Sequence, residues 1–322
     1  MKHEMLAAEL VRALRGQRSQ TALSRRLGFR SNVLYLWESG RRFPDLGTFL
    51  SLADRVDKRW VSRMNDFLGE PLLSSARPQV SRERALLQHW AAGSRPSELA
   101  GAMGVDRGTL ARWNSGATQP RLPELLRLVE LCTRRLPEFV AVFVDPKQLP
   151  SIRSTYAALL AQRRLAYEEP WSHAVLHALQ VHGGQNQAEA IASSIGIEVE
   201  HVQRILTALV RARVVRLQRG VYRRVRALTV DTRANPDLNL LLKQHWASVA
   251  LDRLERTRAE GRGLFSYNVF PIAREDYERL RQLHLEYFDR VRRLVAEARH
   301  ADDVVVVNVQ LFPLGDLGSR RS

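Results

Sequence analysis

The chain has 322 residues, 45% of them hydrophobic, which is enough for about two to four small domains with buried cores. Fifty Lys and Arg against 34 Asp and Glu give a net charge of +16, which draws polyanions: nucleic acid first, an anionic membrane face as the alternative. The single cysteine, Cys132, excludes intrachain disulfides and thiolate zinc clusters, and no run approaches 18 apolar residues.

By blocks, residues 1–70 carry a net +5, 71–145 a net +3, 146–235 a net +7 and 236–322 a net +1. The last quarter therefore needs a different explanation from the rest. Met1-Lys2-His3-Glu4 leads into an amphipathic helix and not into an apolar secretory segment, so a cytoplasmic, nucleoid-associated protein is expected.

An internal repeat occupies the first 140 residues. At an offset of 76, Leu23, Leu27-Gly28, Leu34, Trp37 and Ser39-Gly40 align without gaps on Leu99, Met103-Gly104, Leu110, Trp113 and Ser115-Gly116. Pro44, Leu46 and Leu50 match Pro120, Leu122 and Leu126. Agreement falls on apolar and Gly positions, which fix a fold, while the polar positions between them differ. The pattern predicts a short helix, a turn at Gly28, and a second short helix that Ser31 can cap and that buries Leu34 and Trp37. A further helix after Pro44 packs back through Leu46, Phe49 and Leu50.

The first copy resembles the phage repressor/Cro-like, xenobiotic-response-element type of helix-turn-helix domain, in Gln20, Leu23, Leu27-Gly28, Leu34, Trp37-Glu38-Ser39-Gly40-Arg41 and Pro44. The resemblance implies a second helix in the major groove of double-stranded DNA. By the same resemblance Arg30, Ser31, Asn32 and Leu36 reach base edges, Gln20 holds a phosphate, and Arg41 lies at the DNA surface. Arg can pair with guanine and Asn with adenine. In the second copy Pro96 replaces the Gln and Asn114 the Glu, and Asp106, Arg107, Gly108 and Arg112 stand at the reading positions. That copy either reads DNA through Arg107 and Arg112 or has become a packing or dimerisation domain.

Pro137, Pro146 and Pro150 mark a linker, after which helices are expected near 152–166, 171–181, 188–197 and 199–209. Residues 214–225 then read as strand, turn at Gly220, and strand, which completes a winged helix. Between 211 and 226 stand seven Arg (211, 213, 216, 219, 223, 224 and 226) and no acid. Such a row suits the phosphate backbone, with Arg219, Arg223 and Arg224 around the tip; a solvated face or a protein contact is the alternative. His173 and His177 lie four apart but lack a supporting carboxylate, so a solvent-facing or capping role is expected over a metal site.

In the last quarter, helices are predicted over 238–258 and 274–300, with strands at 264–271 and 304–314, the latter largely buried. From the Trp171 opening to the stretch Asn308 to Leu314, this order resembles an uncharacterised-domain family of predicted bacterial transcriptional regulators, over about residues 165–315. The near-neutral charge suits dimerisation. Tyr267, Tyr277 and Tyr287 can line an effector pocket or serve as core.

The expected fold class is mainly α. It comprises two repressor-like helix-turn-helix domains (1–70 and 78–145), a winged helix (152–230) and a small α/β domain for dimerisation or sensing (236–315). The expected function is a sequence-specific, dimeric transcriptional regulator without cofactor or metal; the alternative is a nucleoid-like protein binding DNA without sequence choice. No Ser/His/Asp cluster or phosphate loop points to an enzyme, since neither Gly183-Gly184 nor Gly261-Arg262-Gly263 precedes a helix at phosphate-loop spacing.

Overall fold

In the computed structural model, the described residues are 3–73, 80–91, 95–182, 187–225, 230–260, 263–297 and 300–315. Gly183-Gly184, Gly261-Arg262, Arg226 and the tail after Gly315 lie outside them. The chain divides into two compact units, residues 1–162 with 226–230, and 163–225 with 231–322.

The first unit begins with α1 (His3–Arg15), whose Leu6, Ala7, Leu10, Val11 and Leu14 recur at helical spacing and are all buried. It continues with α2 (Gln20–Arg26), α3 (Val33–Glu38), α4 (Leu46–Val56) and α5 (Trp60–Leu68). The same five then return as α6 (Arg82–Ala91), α7 (Pro96–Met103), α8 (Arg107–Ser115), α9 (Leu122–Thr133) and α10 (Leu136–Phe143). The offset of 76 read from the sequence is thus also the offset of the helices. Local chemistry sets their ends. Asp45 caps α4 by accepting from the Thr48 N–H at 2.8 Å, and Gly69 closes α5 in the left-handed region at φ 81°.

Neither copy has a core to itself: one cluster of buried residues runs from Leu6 to Ile152. Its aromatic centre interleaves the copies. Phe139 of α10 meets Phe67 of α5 at 6.0 Å and Trp90 of α6 at 5.7 Å. Phe143 meets Phe49 at 4.8 Å and stacks on Trp60 at 5.7 Å. The chain then returns to its start, where Ser151 N–H and Oγ donate to the Glu9 carboxylate at 3.0 and 2.8 Å.

The second unit holds α12 (Ser172–Val181), α13 (Gln187–Ile195) and α14 (Val199–Arg211), with β1 (Val215–Gln218) and β2 (Val221–Arg224) paired antiparallel. It also takes the end of α11 (Arg153–Glu168). Val175, Ile191, Val202, Ile205, Leu206 and Val215 form its core. Buried Gln187 ties the hairpin down. Its Oε1 accepts from Tyr222 N–H at 2.6 Å, and its Nε2 donates to the His182 carbonyl at 2.9 Å. Next comes α15 (Pro236–Glu260), attached through Trp246 against Trp171 at 5.3 Å and through Arg253, which donates to the Ile195 carbonyl at 2.6 Å. Last is α16 (Arg274–Glu297). Among the described residues no helix is long and apolar enough to cross a membrane.

The chain is mainly helical with one small two-stranded sheet among the described residues. The strands expected at 264–271 and 304–314 are not formed there: both segments run without strand pairing. Nor is the second largely buried, for Val305 is 82% exposed. Alternation supplies an apolar face, but a strand also needs a ladder partner for its N–H and C=O groups, and among the described residues none pairs with either segment. Tyr267 and Tyr287 are exposed and Tyr277 is half-buried.

The shared core has a testable consequence. Phe139→Ala should cost about 3–5 kcal/mol in urea denaturation. It should also raise amide exchange in α1–α4 together with α6–α9. Faster exchange confined to α6–α9 would mean two independent cores.

Candidate nucleic-acid interface

The α2–turn–α3 segment is pinned from inside. Ser24 is fully buried, and its hydroxyl accepts from Leu34 N–H at 3.3 Å and donates to Asn32 Oδ1 at 3.4 Å. Gly28 turns the chain at φ +89°, a region closed to most side chains. The turn leaves Phe29 edge-on to Trp37 at 5.7 Å.

The strongest constraint is ionic. Glu38, 6% exposed, takes two bonds from Arg15, Nε at 2.6 Å and Nη2 at 3.1 Å, and a third from Gln20 Nε2 at 2.8 Å. Arg12 Nη2 donates to the Glu38 carbonyl at 3.0 Å. One carboxylate therefore fixes α1, α2 and α3 against each other, and its hydrogen bond to Arg15 raises that guanidinium above its ordinary value.

This hub assigns Gln20 and Asn32 to internal work. Gln20 holds Glu38, and its Oε1 accepts from Asn32 Nδ2 at 3.4 Å. Asn32, and not Ser31, caps α3, accepting from Tyr35 N–H at 3.3 Å. Leu36 is half-buried against the core. Arg30, Ser31 and Arg41 are exposed, and Arg41 lies over the Tyr35 ring at 5.6 Å, itself 47% exposed. Around the turn and α3, Arg30, Ser31, Tyr35 and Arg41 thus face outward. Tyr35 was not singled out from sequence, although its place between buried Leu34 and Trp37 puts it on the opposite face.

In the second copy Leu110 and Trp113 are buried as their counterparts are, and Gly104 takes φ +66° at the turn. The hub is gone, since Ala91, Pro96 and Asn114 stand where Arg15, Gln20 and Glu38 do. One bond survives in a changed pair: Gln88 Nε2 donates to the Asn114 carbonyl at 3.3 Å, as Arg12 does to Glu38. Asp106 is the cap of α8, accepting from Thr109 N–H at 2.8 Å and Thr109 Oγ1 at 2.6 Å. Those two bonds hold its carboxyl below the usual range. Gly108 leaves room for it, since a Cβ there would stand 2.9 Å from Asp106 Oδ1. Arg107 and Arg112 are exposed, and Arg112 Nη2 donates to Thr109 Oγ1 at 2.8 Å.

In the hairpin Gln218 pairs with Val221, so the loop is Arg219-Gly220. Their φ values of +52° and +77° are those of a primed turn, which matches strand twist. Arg216 and Arg223 are directly opposed and exposed; like charges so paired repel, and an anion between them relieves it. Arg211, Arg213 and Arg219 are exposed too. Arg224 is half-buried, on the face packed toward α12, where its charge bears on His173. His173 is half-buried and not solvent-facing, and burial first, then His177 and Arg224, push its imidazole down to about 4. Among the described residues no group of three His, Cys, Asp or Glu stands ready for a metal ion.

Residues 155–314 match the family described as a domain of unknown function, DUF4423. The match takes in the resemblance read from Trp171 to Leu314 and covers just under half of the chain. No curated protein and no solved structure matches.

Breaking the hub should be costly. Glu38→Gln leaves Arg15 largely buried without its counter-charge and should lower stability by about 3 kcal/mol in chemical denaturation. Combined with Arg15→Met, the loss should be clearly less than the two single losses added. Additive losses would mean that the pair does not act as a unit.

Proposed function

We propose that this chain is a transcriptional regulator that binds double-stranded DNA, its two five-helix copies being repressor-like helix-turn-helix domains and α12–α14 with the hairpin a winged helix. The observation that carries the reading is the α2–turn–α3 segment. It is locked from within by the Glu38 hub and presents Arg30, Ser31, Tyr35 and Arg41 outward on a chain of net charge +16. Rigid support behind an exposed polar helix is what base-edge readout requires. The hairpin adds a different element. Arg216, Arg219 and Arg223 supply phosphate contacts, which position a protein and raise affinity without choosing sequence. The near-neutral last quarter is the proposed surface for self-association.

Selection of duplexes from a random pool tests the reading. On a selected site Arg30→Ala should cost about 1–3 kcal/mol and relax base preference at one position. Unchanged affinity and preference would remove α3 as a reader.

The hairpin has its own signature. Arg219→Ala with Arg223→Ala should weaken selected and random DNA equally. The slope of log K against log salt should fall by about one for each phosphate that is no longer neutralised, with base preference kept. Wild-type binding at every salt concentration would mean that the hairpin does not meet phosphate.

A further inference from the structure

The bonds between the two copies are reciprocal. Leu46 N–H donates to the Pro120 carbonyl at 3.0 Å, and Leu122 N–H donates to the Pro44 carbonyl at 2.8 Å. Moving each residue of the first bond to its counterpart 76 positions away gives the second bond. Between the bonds, Asp45 and Arg121 form an antiparallel bridge. A looser exchange, of helices and not of exact counterparts (that of Arg82 is Leu6, not His3), appears at the rim. Asp54 takes Arg82 Nη2, from the start of α6, at 2.8 Å; its counterpart Glu130 takes His3 Nε2, from the start of α1, at 2.7 Å. The counterpart helices α5 and α10 pack on each other.

A translational tandem would carry the pairing of residue 46 with 120 onward to a third repeat. Here it closes on itself, so the operation that takes copy one to copy two also takes copy two to copy one. That is the isologous contact of a two-fold dimer, made inside one chain. The fit is not perfect: α1 packs closely on α9, whereas the counterpart helices α6 and α4 barely touch, and Gln119 Oε1 accepts from Gly47 N–H at 2.6 Å, where the counterpart of Gly47 is Pro123, which has no N–H.

The axis passes through the Asp45–Arg121 bridge. Six residues lead from Glu38 at the end of α3 to Pro44, and five from Ser115 at the end of α8 to Pro120. At about 3.5 Å per residue these legs span at most about 20 Å each, so the facing ends of α3 and α8 lie within about 45 Å. That range includes one turn of B-DNA, about 34 Å, which separates half-sites met by two-fold related readers. The two readers are unlike. Copy one shows Arg30, Ser31, Tyr35 and Arg41; copy two shows Arg107 and Arg112, with Asp106 used as a cap.

We propose that one chain occupies two dissimilar half-sites about one helical turn apart, α3 reading one and α8 the other, so that the internal two-fold does the work of a homodimer in an ordinary two-fold reader. This rests on the DNA-binding reading above. The test uses the full chain on duplexes selected from a random pool. Hydroxyl-radical footprints should show two protected patches about ten base pairs apart, and a stoichiometric titration should give one pair of patches filled per chain, a ratio that self-association through the last quarter leaves unchanged. The selected consensus should have two unlike halves. Arg30→Ala should relax preference in one half alone, and Arg107→Ala with Arg112→Ala in the other alone. These are exposed residues, and circular dichroism would confirm that the variants fold. Inserting about five base pairs between the halves should lower affinity at least about tenfold, because half a turn puts one half-site on the far side of the duplex. Two identical inverted halves bound by two chains would overturn the proposal, as would an Arg107→Ala, Arg112→Ala protein with unchanged preference everywhere; both leave DNA reading by α3 intact. Failure to enrich any sequence, with Arg30→Ala without effect, would instead remove the DNA-reading function itself.

Discussion

Phe139 is 1% exposed and stands between Phe67 and Trp90, rings from the two different repeats. Removing an aromatic side chain of this size from water stabilises by about 2–3 kcal/mol, but only where the surrounding rings are present. Each copy contributes rings to these surroundings. Phe143 also crosses between the copies, against Phe49 and Trp60 of the first. A single five-helix copy would leave these surfaces in water, so the folding of each copy is conditional on the other. Everything outward of this centre, including the placement of α3 and α8, inherits its geometry from that mutual burial.

Much of this was legible. Leu, Trp and Gly recur at one offset because the same backbone must be built twice, and burial constrains those residue types most. The helices of the second unit followed from their apolar spacing, and the hairpin from Gly220 between two β-rich runs. The two-fold was not legible, because what closes it is chemically unlike on its two sides: His3 with Glu130, Arg82 with Asp54, and backbone bonds that carry no residue signature. The roles of Gln20 and Asn32 were hidden for a related reason. Both are polar residues beside a turn, and only the position of Glu38 turns them inward. The segments 264–271 and 304–314 show the opposite failure. Their alternation is evident in sequence, but pairing depends on a neighbour that alternation does not specify.

The two units place their cations differently. In the first, several partly buried cations are paired with carboxylates: Arg15 with Glu38, Arg82 with Asp54, Arg135 with Glu138. In the hairpin no acid lies between 211 and 225, Arg216 faces Arg223 across the ladder, and Arg219 sits in the left-handed region. A non-glycine residue there and two opposed guanidiniums each cost something in the folded state. The repulsion is screened in water and falls further when an anion bridges the guanidiniums. Arg224 takes no part in that surface, since the register turns it toward α12 and His173.

On the proposed reading, joining two readers in one chain changes what selection can do with them. In a homodimer every substitution in the reading helix appears twice, so the half-sites must stay alike. Within this chain α8 can lose the Glu38-type hub, start at Arg107 behind an Asp106 cap, and still be held by Leu110 and Trp113 in the common core. Its surface is then free to diverge while its position is not. Occupancy changes as well. A dimer formed on DNA fills its site with the square of protein concentration, whereas a single chain with both readers fills it linearly, the second half-site being engaged intramolecularly once the first is bound. Were the chain such a regulator, it would respond gradually to its own abundance. Any steep response would then have to arise from self-association elsewhere in the chain, for which the near-neutral residues 236–322 are the suitable surface by charge.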